Sequence, residues 1–260
     1  MPAAVQLDEL ASYLDDYLRI REVPDEPSAV NGLQVEAPGK VGRIIAAVDA
    51  SQAAIESAAS RRPGVSAGTT LLLVHHGLFW DGNIPLTGRR YKRVKALLDA
   101  GIALYSAHIP LDLHPDVGNN AVLARQLDVR IEGPFGPYRG VPIGVHGTLD
   151  IPRAELVTRL NSLLKTAAKL IPGGPERVKR VAIITGSAGS QIAAARDAGL
   201  DTFITGEGAH HTYFDAMEWG LNVIYAGHYA TETVGVQALA AHLSERFGIP
   251  WEFHDHPTGM

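Results

Sequence analysis

Cysteine is missing from all 260 residues of this chain. No disulfide can brace the fold and no thiolate can bind a metal, so any metal ligand must be imidazole or carboxylate. Long apolar runs are missing too: no segment approaches the ~18 consecutive apolar residues of a membrane span. Met1 to Tyr17 has no basic stretch followed by an apolar run, so no secretory signal is expected, and the chain reads as cytoplasmic with no membrane partner. Dense positive charge is scarce. Lys and Arg number 23 against 28 Asp and Glu, a formal charge of −5, which disfavours a nucleic-acid partner. The nearest thing to a basic cluster is Arg89, Arg90, Lys92, Arg93 and Lys95. It reads first as a solvated helix face and second as a phosphate-contacting patch. The G-x-G-x-x-G fingerprint, the Walker loop and the G-x-S-x-G elbow are also absent.

What is present describes an ordinary globular chain, 46% hydrophobic and 20% charged, of a size for one large domain or two modest ones. Leu7, Leu10, Leu14 and Leu18 stand at helical spacing, and Pro24 to Pro27 ends that helix. Arg43 to Val48 is apolar and β-branched, and Ser51 caps a following helix through Ala59. A second strand is expected from Thr69 to Val74, a helix from Tyr91 to Ala100 and a third strand from Ala103 to Ser106. Glu132 to Val145, rich in Gly and Pro, is expected to be a lobe boundary. Val145 to Leu149 then reads as a strand, and Pro152 opens a helix through Leu164. Alternation resumes with strands Val181–Ile184, Thr202–Thr205 and Asn222–Tyr225 and helices Ser190–Asp197 and Thr212–Trp219. A helix from Thr233 to Phe247 and a strand from Trp251 to Phe253 close the chain. Short apolar strands alternating with helices predict mostly parallel sheets.

The two halves resemble one another. Leu71 to Gly77 aligns with Thr202 to Gly208, and Gly101 to His108 aligns with Gly220 to His228 with one residue of slack. In that alignment His75-His76 lies over Gly206-Glu207, and His108-x-x-x-Asp112 lies over His228-x-x-x-Glu232. This predicts an internal βαβαβ repeat, with a rough pseudo-twofold bringing polar strand ends to one cleft.

Those strand ends carry the chemistry. In open α/β sheets ligands collect beyond the carboxyl ends of the strands. A lone histidine there is ordinarily a hydrogen-bonded polar residue, but His75-His76 beside His-x-x-x-Asp and His-x-x-x-Glu spacings points to metal. Imidazole and carboxylate together suit Zn, Fe, Mn or Co. Glu232 can bridge two ions with its two oxygens, His228 can bind one, and Asp112 supplies a second carboxylate. Open positions on such a pair hold water and can make hydroxide near neutral pH. His108 is either a ligand or a group that orients Asp112. Glu207 and His211 are candidate proton carriers, against the blander role of polar loop residues. His114, His146, His210, His242, His254 and His256 read as structural or solvent-facing. The turn Gly186-Ser187-Ala188-Gly189 offers backbone N–H groups that could hold a phosphate.

Taken together, several segments resemble the Nif-three-like dinuclear metal-centre family, whose members are named GTP cyclohydrolase I type 2 homologs. They are Asn31-Gly32-Leu33-Gln34-Val35, Val74 to Trp80, His108 to Asp112 with Gly118-Asn119-Asn120, Thr205-Gly206-Glu207 and Ala226 to Glu232. The likeness runs nearly end to end and fits the short form, without the inserted domain of longer members. It implies two similar α/β lobes with a metal site in the cleft between them. The first lobe would be 1–128 plus 229–260, the second 129–228. It implies two divalent ions per subunit, with His75 and His228 on one, His76 and Asp112 on the other, and Glu232 bridging. It also implies subunits assembled as a homohexameric ring. One departure is Ile109-Pro110, where the commoner pattern has Thr, which puts a hydroxyl hydrogen bond near Asp112 in question. The expected function is metal-dependent hydrolysis of a small phosphorylated or nucleotide-like substrate. The alternative is a non-catalytic metal-binding, storage or partner-binding ring.

Overall fold

A computed structural model describes residues 4–60 and 68–260. The chain divides into two compact units, 1–111 with 236–256, and 112–235 with 257–260. In the first unit, strand β1 (Val5–Gln6) leads into helix α1 (Leu7–Tyr17), whose Leu7, Leu10 and Leu14 are buried as the leucine spacing requires. Asp8 and Glu9 occupy its first turn, where the helix dipole favours negative charge. Strands β2 (Gly32–Val35) and β3 (Lys40–Asp49) follow. Helix α2 (Gln52–Ala59) is capped by Ser51, which accepts from the Ala54 N–H, as expected. Strand β4 (Thr69–His76), helix α3 (Gly88–Ala100), strand β5 (Ile102–Ser106) and the single turn α4 (Ile109–Asp112) come next.

Helix α5 (Asn119–Gln126), strands β6 (Arg130–Tyr138) and β7 (Val141–Pro152), helix α6 (Arg153–Leu164) and strand β8 (Lys169–Pro172) lie in the second unit. Strand β9 (Arg177–Ile184), helix α7 (Ile192–Asp197), strand β10 (Thr202–Thr205), helix α8 (Thr212–Glu218), strand β11 (Asn222–Tyr225) and the turn α9 (His228–Thr231) complete it. Helix α10 (Thr233–Phe247) runs on into residues of the first unit, where strand β12 (Trp251–Phe253) closes the fold.

Each unit is built on a six-stranded sheet. The first runs β1-β3-β4-β5-β2 with β12 also on β3, and the second runs β6-β7-β9-β10-β11-β8. The expected repeat is present: β3-α2-β4-α3-β5 and β9-α7-β10-α8-β11 are both parallel three-strand units. Their strands are buried almost throughout, except for the first half of β9, as strands covered on both faces should be. The expectation of mostly parallel sheets holds only at these centres. β1 and β2 pair antiparallel in the first sheet, and β6, β7 and β8 in the second. The Gly/Pro-rich stretch expected as a boundary forms the β6–β7 hairpin instead. Its prolines, Pro134 and Pro137, are tolerated because β6 is an edge strand, and the register slips beside Gly133. Among the described residues no helix is long and apolar enough to cross a membrane.

Candidate metal centre

Strand β4 extends through His75 and His76, so the two side chains leave the backbone in alternate directions. They nonetheless meet: the ring centroids stand 4.7 Å apart. His108, two residues beyond β5, brings its ring to 4.9 Å from His75 and 5.5 Å from His76. One ring nitrogen from each of the three lies within 4.8 Å of the others. His75 is fully buried and the other two are half-buried.

The partners of these rings are informative. His75 Nδ1 donates to the Ala107 carbonyl at 2.8 Å, His76 Nδ1 to Asp49 at 2.9 Å and His108 Nδ1 to Asp25 at 2.8 Å. In the second unit His228 Nδ1 donates to Glu207 at 2.9 Å. All four histidines therefore spend Nδ1 on an oxygen that can only accept. That leaves Nε2 of each ring as the atom to face a metal, the arrangement of a metal-ligating imidazole, although Nε2 of His228 in the metal-free chain holds a proton toward Glu232. The donor set fits a borderline divalent ion.

Asp25 and Asp49 escaped the sequence reading. Asp49 ends β3 directly across from His76 in the sheet register, so strand pairing delivers the carboxylate to the ring. Asp25 is held by the Asn31 side chain, the Ile109 and Glu26 N–H groups and His108. Burial works against its charge, but these donors outweigh it and hold the carboxyl below its ordinary range. His108 also receives its own orientation from Asn31, whose Oδ1 accepts the His108 N–H. A signal was available for Asp25 in the neighbouring Asn31-Gly32 segment, but aspartate in a Pro-rich loop is too common to single out.

In the second unit, Glu207 lies just past β10, His228 opens α9, and Glu232 follows one turn later. His228 Nε2 stands 3.2 Å from Glu232 Oε1, and Glu232 is buried. Gly186 packs against this pair. Its φ is +70°, and a Cβ there would stand 2.3 Å from Glu232 Oε1, so both the backbone and the carboxylate require glycine. In the turn at Gly186, whose N–H groups could have held a phosphate, three of the four are spent on the fold. Gly186 donates to Thr231, Ala188 to Thr205 and Gly189 to the Glu207 carbonyl. Asp112 is buried, accepting from Asn119 Nδ2 at 2.8 Å and from the Thr185 hydroxyl at 3.3 Å. Thr185 thus supplies a hydroxyl to Asp112, while Ile109 contributes its backbone N–H to Asp25. His211 is exposed at the start of α8, and Glu207 is engaged with His228. A cavity of about 500 Å³ opens beside Glu207, with Lys169, His210, Tyr213, Phe214 and Tyr225 in its lining. His210, which reads as structural in sequence, faces this cavity.

Burial opposes a charge on His228, but Glu232 and Glu207 outweigh it and raise the imidazole to about 9. In the metal-free chain this pair stabilises the fold fully below the ordinary value of 6.5, and the contribution is lost as pH rises through 9. A metal at Nε2 must expel that proton. Affinity should therefore fall roughly tenfold per pH unit between pH 8 and 6, with proton release measurable by calorimetry in buffers of different ionisation enthalpy. Affinity independent of pH would contradict His228 as a ligand.

The sequence model of the Duf34/NIF3 family (NGG1p interacting factor 3) matches residues 5–258. A Deinococcus radiodurans protein named GTP cyclohydrolase 1 type 2 homolog is 46% identical over 255 residues, 97% of this chain and 94% of the relative. A Pyrococcus horikoshii protein of the same name is 43% identical over 257 residues, covering 97% and 99%. The crystal structure of TTHA1606 from Thermus thermophilus superposes with a TM-score of 0.86 at 42% identity, over 98% of this chain and 100% of that one. The repeat, the paired histidines and a likeness that spans both units lead to one assignment: this chain belongs to the Duf34/NIF3 family.

Proposed function

We propose that this chain is a metal-dependent hydrolase of a small phosphorylated or nucleotide-like substrate, holding two divalent ions through His75, His76, Asp112, His228 and Glu232. The observation that carries the metal is the common arrangement of its histidines, each with Nδ1 spent on an oxygen so that Nε2 is the nitrogen left for an ion. Divalent ions held there would supply Lewis acidity and lower the pKa of water. Asp49, Asp25 and Glu207 act as positioning residues that fix the rings. His211, exposed nearby in sequence, is the proposed proton carrier, exchanging protons with solvent. The cavity beside Glu207, at about 500 Å³, is of the size that takes a small molecule. The relatives' name, GTP cyclohydrolase 1 type 2 homolog, is in keeping with a nucleotide-like substrate.

A second reading, metal binding without turnover, is favoured by one observation. Glu207 is committed to His228, which leaves His211 as the remaining candidate proton carrier. Turnover separates the two. In a screen of phosphoesters and nucleotides with added Zn, Mn, Fe or Co, the wild type should hydrolyse at least one class. Glu232→Gln should lose that activity while its circular dichroism stays unchanged. Full activity in Glu232→Gln would overturn the hydrolase reading.

A further inference from the structure

Strands β10 and β11 run parallel, and ligands collect beyond the carboxyl ends of such strands. The cavity of about 500 Å³ opens there. Glu207 and His210 reach it from the loop after β10, and Tyr225 from the last position of β11. Lys169, paired with Tyr225 across the sheet, reaches it from β8, and Tyr213 and Phe214 from α8. All of these residues belong to the second unit.

The aromatic side chains suit a planar ring. Tyr213 is 46% exposed and Phe214 51%, so two neighbouring rings are left half in water at the cavity. Phe214 is held by edge-to-face contacts with His210 at 5.8 Å and with Tyr213 at 5.5 Å, so it is ordered before any ligand arrives. Tyr225 shares a hydrogen bond with the Thr212 hydroxyl. Gly208 packs against the same phenol so closely that a Cβ there would collide with its oxygen. The hydroxyl is thus spent on the fold, and the Tyr225 ring forms the wall. Two charges complete the lining. Glu207 gives Oε1 to His228, and its other oxygen has no hydrogen bond among the described residues. Lys169 is exposed and forms no ion pair among the described residues, with Glu207 or with any other carboxylate. An acceptor and a cation that share a cavity without neutralising one another are both available to a ligand.

We propose that this cavity is a nucleotide-binding subsite, in which Phe214 stacks the base, Glu207 accepts from an N–H on the base edge and Lys169 receives a phosphate. Stacking asks only for a π face, which every base has. A purely apolar ligand would leave Glu207 and Lys169 unmatched, and a simple phosphoester would leave the rings bare. The shared carboxylate Glu207 joins this cavity to the ring of His228. The inference rests on the proposed nucleotide-like substrate for its role, but its test needs neither metal nor turnover.

The four ribonucleoside monophosphates are titrated by calorimetry into the protein, as purified and after chelator treatment. The tightest is then compared with its nucleoside and with ribose 5-phosphate. The variants are Phe214→Ala, Phe214→Leu, Lys169→Ala and, as a control one turn along the same helix and outside the cavity lining, Met217→Ala. Circular dichroism and light scattering report fold and oligomeric state. We expect Phe214→Ala to weaken the nucleotide about tenfold or more, and Phe214→Leu to recover little, because bulk returns without a π face. Lys169→Ala should weaken the nucleotide several-fold and leave its nucleoside unchanged, and Met217→Ala should match wild type. This pattern without hydrolysis of any nucleotide would sustain the inference and overturn the hydrolase. No nucleotide binding in wild type would overturn the inference, as would unchanged affinity in Phe214→Ala, full recovery in Phe214→Leu or equal weakening in Met217→Ala. An altered oligomeric state in Phe214→Ala with unchanged nucleotide affinity would also overturn it and assign the aromatic face to a second copy of the chain. Hydrolysis of simple phosphoesters by a wild type that binds no nucleotide would overturn it and leave the hydrolase standing.

Discussion

Glu207→Ala should weaken divalent-metal binding by about 10- to 100-fold, with Glu207→Gln falling between the variant and wild type. The carboxylate accepts the His228 Nδ1 proton at 2.9 Å, which both aims the ring and raises the basicity of Nε2. Alanine removes both effects; glutamine keeps an acceptor oxygen but loses the charge. The fold should survive, because Glu207 anchors the strand end through its backbone. Its N–H donates to the Gly186 carbonyl and its own carbonyl accepts from Gly189. Asp49→Ala should act likewise through His76. Competition against a calibrated chelator measures both. Unchanged affinity in either variant would mean that the carboxylate bonded to that ring does not support a ligand.

The largest effect on stability is expected at Asn120. Its side chain is almost fully buried and makes three hydrogen bonds, all to backbone. Nδ2 donates to the Asp112 carbonyl at 3.1 Å and to the Ile143 carbonyl at 2.8 Å, and Oδ1 accepts from the Thr185 N–H at 2.8 Å. One side chain thus ties α5 to β7, to the end of β9 and to the Asp112 turn. Asn120→Ala would strand two acceptors and a donor where water cannot reach, at about 1–3 kcal/mol for each unsatisfied group. The expected loss is about 3 kcal/mol or more, which thermal or urea unfolding would show. Asn120→Leu should be no better, since what is lost is hydrogen bonding rather than volume. A loss below about 1 kcal/mol in either would show that the turn relaxes and re-satisfies its backbone.

Much of the fold was legible because its central strands are short apolar blocks ended by polar residues. Strands β10, β11 and β12 and helix α10 lie where apolar runs and periodicity place them. The flanking strands were not legible for a physical reason. β6 is an edge strand with two prolines and four glycine or proline positions in nine, so its composition is that of a loop. β1, β2 and β8 have two to four residues each, too few for a period-2 pattern. At the site, the paired histidines and the four-residue His–carboxylate spacings announced themselves. The groups that hold the rings did not. Asp49 is recruited through strand register and Asp25 through a loop, and neither register nor loop closure leaves a local mark in sequence. Glu207 was legible as a residue of interest but not in its role, which depends on the ring it touches.

The most direct test of the central claim is metal content per chain, measured by mass spectrometry on protein purified without chelator, for wild type and Glu232→Ala. The account predicts about two ions per chain in wild type and a sharp fall in the variant. Wild-type protein without metal, or a variant that retains the full complement, would contradict it.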